Sequence, residues 1–152
     1  MIELLATIAI TASSALLFGY WFRYTCLLIL SAKTTRDYAG DFAAANQLSF
    51  LDVQARLQNE LTDLDGLHAS LNRDYAVVTY LMGHVSAKSE DASSIEVKML
   101  EINYRLMGAW FSVSKRFSTT AAQRALDEMA NVVAHFANMM GERSEMMAAA
   151  AA

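Results

Sequence analysis

Residues 2–32 read IELLATIAITASSALLFGYWFRYTCLLILSA, and only Glu3 and Arg23 among them carry a charge. The hydrocarbon core of a bilayer is about 30 Å thick and takes roughly 20 apolar helical residues to cross. The run 4–22 supplies that length with neither charge nor proline. It predicts a transmembrane anchor over residues 1–32, a single helix with the rest of the chain on its C-terminal side. A secretory signal would show a basic start, an apolar run of about 7–15 residues and a small-x-small cleavage site. Here the start carries Glu3, the run is longer, and aromatic residues stand where cleavage would occur, so the segment is expected to be retained.

Side chains within the span suggest what each part meets. Tyr20, Trp21, Arg23 and Tyr24, with Phe18 and Phe22 beside them, form the kind of aromatic and basic cluster that favours the headgroup level. They are the expected interfacial anchor. Residues 26–30, CLLIL, continue apolar beyond it, which calls for a tilted helix with Arg23 snorkelling or for cover by a neighbouring protein. Thr11, Ala12, Ala15 and Gly19 share one side of the helix, where small side chains let another membrane helix approach closely. Leu5, Ile8, Leu16 and Phe22 suit lipid. Arg23, Lys33 and Arg36 follow the span and no basic side chain precedes it, so the body is expected in the cytoplasm.

Beyond Arg36, nine Lys and Arg stand against fifteen Asp and Glu, a net of −6 before histidine. Such a body is a poor partner for nucleic acid and for broad contact with anionic lipid. Cys26 is the lone cysteine, so it forms no intrachain disulfide and completes no metal set. Proline is absent and glycine scarce, at 6 of 152 residues, which favours helix throughout.

The body predicts an all-α fold: an antiparallel, coiled-coil-like bundle of three or four helices. Residues 33–49 read as a juxtamembrane helix or linker with a kink near Gly40, 50–147 as the bundle, and 148–152 as a low-complexity tail. Leu57, Leu61, Leu64, His68, Leu71, Tyr75, Val78, Met82 and Val85 step by four and three, a heptad seam on a first body helix over about 43–87. A polar turn follows at 88–94, and Ser93 with Glu96 has capping-box spacing. The second helix carries Ile95, Met99, Ile102, Leu106, Ala109, Val113 and Phe117, again at four and three. Leu100, Met107, Trp110 and Phe111 widen its stripe, so this helix is expected at the centre of the bundle or against another protein. Thr120 and Gln123 suggest a cap for a third helix bearing Ala122, Leu126, Met129, Val133, Phe136 and Met140, with Gly141 loosening its end. The first helix outruns its partners. Its Phe50 and Val53 face is then left without intrachain cover, unless the helix breaks near 59–62 into a fourth bundle member. Phe50, Val53, Trp110 and Phe111 are the candidate partner face.

Chemistry is thinly represented. His68 lies one turn after Asp65 and is expected to bond it or to fix helix register, since a helical di-metal site needs two Glu-x-x-His pairs and further carboxylates. His84 and His135 would meet if the first and third helices align, as in a two-histidine haem site. No phosphate-binding glycine loop, nucleophile elbow or Cys-x-x-Cys pair occurs in the sequence. No catalytic, cofactor or metal residue is expected, and the chain reads as non-enzymatic. Its expected partners are membrane lipid and other membrane-complex subunits, or a second copy of itself, and not nucleic acid. Two roles remain open: accessory subunit of a membrane complex, or self-associating signalling scaffold. A haem or metal protein is the lesser alternative.

Overall fold

A computed structural model describes residues 1–32, 36–59, 63–86 and 95–151. Among them the regular elements are all helical: α1 (Ile2–Ser31), α2 (Ala39–Asn46), α3 (Phe50–Leu57), α4 (Leu64–Ser86), α5 (Ile95–Ser114) and α6 (Thr119–Ala151). They fall into two compact units, Met1–Ala32 and Lys33–Ala152. Lys33, Leu61, the 88–94 turn and Ser93 of its capping box lie outside the described residues.

The first unit is α1 alone. Its 30 residues extend about 45 Å at 1.5 Å per residue, and it is long and apolar enough to cross a bilayer. The hydroxyls of Thr7 and Thr11 donate to the carbonyls of Glu3 and Thr7, each at 2.8 Å. Both hydroxyls are thereby satisfied within the helix. Tyr20 and Tyr24 stack one turn apart, with ring centroids at 6.5 Å.

The second unit is a helical bundle built on α6, against which α2, α3, α4 and α5 all pack. All six residues of its expected stripe are buried, and Ala125, Ala130, Val132 and Ala137 are buried with them. Apolar residues over such a wide arc, many of them alanine, let neighbouring backbones close in from several sides. Of the two placements expected for the second body helix, the central one is corrected: α6 is the helix on which α2, α3, α4 and α5 all pack. Its start is capped by Ser118, whose Oγ accepts from the Ala121 N–H at 3.2 Å, rather than by Thr120.

The long first helix does not exist as one piece. Its first interruption comes at Gln47, which takes the left-handed conformation (φ 53°, ψ 42°) and ends α2, while the Leu48 N–H closes on the Ala43 carbonyl at 2.9 Å. Gly40, where a kink was expected, lies inside α2. The second interruption separates α3 from α4, where Asp63 Oδ1 accepts from the Gly66 N–H at 3.0 Å in a helix N-cap. With α3 free to fold back on α6 and α4, Phe50 and Val53 are fully buried. They are core residues, not a partner face.

Helices of eight residues are marginal alone, and polar groups from longer helices hold these two in place. Asn138 of α6 accepts from the Tyr38 N–H at 2.6 Å, just before α2. The buried carboxylate of Asp74 in α4 accepts from both the N–H and the Oγ of Ser49, at 2.7 and 3.0 Å, at the start of α3. Asp74 therefore takes a core-facing position that a hydrophobic seam would not assign to it. Leu67, Leu71, Val78 and Met82 are buried with it, while Leu64, His68, Tyr75 and Val85 of the expected seam are only half-buried.

Gly141 does not loosen α6. A Cβ there would stand 2.5 Å from the Tyr38 Cβ and 3.3 Å from its carbonyl oxygen, so the glycine is what lets the chain pass this close. Gly141→Ala should destabilise the bundle by about 1–3 kcal/mol through overpacking, and Phe136→Ala by about 3–5 kcal/mol through loss of a buried ring. Leu64→Ala, at a half-buried position, should cost clearly less than Phe136→Ala. Chemical denaturation of the three variants checks this order.

Candidate docking surface

α5 carries two apolar stripes at four-and-three spacing. The first runs Val97, Leu100, Tyr104, Met107, Phe111 and Ser114, and every member is buried. The second is the sequence's expected seam, and it points the other way. Ile95 is 74% exposed, Ile102 56%, Leu106 45%, Val113 49% and Phe117 80%, with Trp110 beside them at 51%. Corresponding members of the two stripes are one or two residues apart, roughly 100–200° around a helix of 3.6 residues per turn. Only one of the two can face α6.

Polar and aromatic contacts decide which one does. Asn103, fully buried, donates to Glu128 of α6 at 2.7 Å. The Tyr104 hydroxyl donates to Asn72 Oδ1 of α4 at 3.0 Å. Its ring lies flat on Tyr75 with centroids 3.8 Å apart, and His68 stacks on Phe111 at 4.6 Å. Lys115 reaches Asp65 at 2.6 Å. Desolvation raises both tyrosine pKa values above the usual range, so both phenols stay neutral and able to donate. These contacts lie along one side of α5 and fix its rotation. The purely apolar stripe has no polar group to satisfy and is left outside.

The expected site residues separate accordingly. Trp110 belongs to an exposed apolar face of α5 with Ile95, Ile102, Leu106 and Val113, and Phe117 is exposed in the turn that follows the helix. Phe111 is 1% exposed and is a core residue, as are Phe50 and Val53. On α1, Thr11, Ala12, Ala15 and Gly19 lie within an arc of about 100°, and a Cβ at Gly19 would meet nothing within 4 Å. Tyr20, Trp21 and Tyr24 are exposed, and Arg23 lies among them in sequence.

The histidines form no joint site. His68 Nε2 pairs with the Asn72 side chain at 3.3 Å, while Asp65, its expected partner, is taken by Lys115. His84 Nδ1 lies 3.0 Å from the Tyr80 carbonyl and its ring packs on Tyr80, whereas His135 packs beside Phe136. No group of three or more metal-ligating side chains occurs among the described residues. No protein-family model, curated protein or solved structure matches the chain.

Two predictions test this arrangement. Phe111→Ala should cost about 3–5 kcal/mol as a core deletion, while Phe117→Ser should stay within about 0.5 kcal/mol as a surface change. Calorimetric or denaturant unfolding of both variants would show the contrast. The second concerns pH. Burial lowers the pKa of His68 and of His135, against the opposing pull of Asp65 and Glu96 respectively. The unfolded chain then binds protons more readily than the folded one, so stability is full above the ordinary histidine pKa of about 6.5 and falls as pH drops below it. His135→Gln should flatten that slope between about pH 7 and 5, measured as unfolding free energy against pH.

Proposed function

We propose that the chain is a non-enzymatic, single-pass membrane protein that acts as an accessory subunit of a larger membrane complex. In this reading α1 is the anchor, the bundle is a docking body in the cytoplasm, and the outer stripe of α5 receives a protein partner. The exposed stripe carries the argument. A monomeric soluble protein rarely shows a contiguous apolar patch of this size, and such patches usually mark interaction sites. A helix already bonded and stacked along its inner side gains no stability from a second stripe that stays in water.

The anchor contributes a second recognition surface. In lipid, helices associate where small side chains allow close approach, and the open face through Thr11, Ala15 and Gly19 has that character. The acidic body and its lack of recognised catalytic motifs support a role in assembly over one in chemistry or nucleic-acid binding.

Purification from native membranes in mild detergent tests the reading. The protein should bring other integral membrane proteins with it at fixed stoichiometry. Gly19→Ile should lose them while still inserting, and Leu16→Ile should retain them. Recovery of the wild-type protein without other subunits would overturn the accessory role. For topology, a cysteine placed at Asp63 or Glu142 should resist a membrane-impermeant thiol reagent in intact cells, and labelling without permeabilisation would reverse the orientation.

A further inference from the structure

We infer that the groove between α2 and the C-terminal part of α6 binds a primary ammonium joined to a phosphate, the chemistry of a phosphoethanolamine headgroup. The groove has a volume of about 290 Å³, at the lower edge of the ~300–1,000 Å³ typical of ligand clefts. Tyr38, Asp41 and Phe42 line it on the α2 side, and Ser144 and Glu145 on the α6 side. Arg36 completes the lining. Its Nη1 donates to Glu145 Oε1 at 3.1 Å, and its guanidinium carbon lies 5.1 Å from the centre of the Tyr38 ring. Hydrogen bonding to Glu145 is also the main reason that the pKa of Tyr38 is raised. The ring and the carboxylate thus already hold one cation, the chain's own.

Charge selects the ligand. The carboxylates of Asp41 and Glu145 and the guanidinium of Arg36 share the lining, so a simple anion meets net repulsion. A simple cation would take Glu145 and leave Arg36 to water. A zwitterion replaces both partners: its ammonium goes to the carboxylates and the Tyr38 face, and its phosphate goes to Arg36. A primary ammonium has three donors to satisfy. Asp41, Glu145 and Ser144 Oγ can accept them, because the Ser144 hydroxyl already donates its proton to the Gly141 carbonyl at 2.7 Å.

Chain connectivity supplies the source. Arg36 follows Ser31, the last residue of α1, by five residues, a covalent reach of at most about 18 Å. With α1 as the anchor, which this source assumes, chain length alone keeps Arg36 within reach of lipid headgroups. The acidic body is unsuited to anionic lipid, and a zwitterionic headgroup carries no net charge to oppose it.

Lipid titration of the full-length protein in mild detergent, read by native mass spectrometry, tests the ligand. Phosphatidylethanolamine should be retained about tenfold more tightly than phosphatidylglycerol, which has no ammonium, and than phosphatidylcholine, whose ammonium has no N–H to donate. The side chains of Arg36 and Glu145 are 67% and 48% exposed, so Arg36→Gln and Glu145→Gln leave the core intact, which circular dichroism and thermal unfolding would verify. Each should bring phosphatidylethanolamine down to the level of phosphatidylglycerol, whereas Arg116→Gln, at another exposed site, should not. Equal retention of phosphatidylethanolamine and either other lipid by the wild type, or an unchanged preference in both variants, would overturn the inference. Soluble glycerophosphoethanolamine separates the sources. Competition at the lipid's own affinity assigns the free zwitterion, and much weaker competition assigns the bilayer. No competition at saturating concentration would overturn headgroup recognition. Recovery of the wild type without other subunits, but with its lipid preference intact, would remove the accessory role and leave this inference standing.

Discussion

The bundle depends on a shortage of partner surface: α6 is the one helix apolar around enough of its circumference to serve every other helix. Ala122, Ala125, Ala130, Ala137 and Gly141 are all buried on it. Small residues spread over a wide arc let four helices lie close to one axis. They also leave little volume to absorb an error. The close pass of Tyr38 over Gly141 is the extreme case, since no side chain there can move aside to make room for a methyl group.

Apolar burial is not the only thing that positions the short elements. α2 and α3 have eight residues each, too few to hold a helix by propagation alone. What places them is the satisfaction of backbone donors: Asn138 receives the Tyr38 N–H, and Asp74 receives that of Ser49. A buried polar group without a partner is costly. Asp74 and Asn138 thus specify one arrangement among several that would bury similar area. The same logic governs α5, whose rotation follows the side that bears Asn103 and Tyr104 because those groups find Glu128 and Asn72.

That rotation has a consequence for the surface. A helix with two apolar stripes buries one inside its own bundle and leaves the other exposed. Surface composition makes the same point. The body is acidic overall, so a long uncharged stripe on it contrasts sharply with its surroundings.

Features that depend on local chemistry were legible from the residues alone. The length and composition of 2–32 give a helix long and apolar enough to cross a bilayer, the lack of proline and strand signals agrees with regular elements that are all helical among the described residues, and every predicted core position of α6, from Ala122 to Met140, is buried. Such readings hold because a single apolar stripe admits one way of being buried. The remaining features depend on how the helices pack. Periodicity on α5 favours Ile95, Ile102 and Leu106 because they are its most uniformly apolar series, yet Val97, Leu100 and Phe111 are the ones inside. Asn103, Tyr104 and Ser114 disguised the inner stripe as a polar one, since a hydropathy pattern counts their cost and cannot count their partners. Likewise nothing local marks Gln47 as the end of a helix or Asp74 as a core residue. Both depend on groups brought from elsewhere in the chain, and a long-range hydrogen bond has no sequence period.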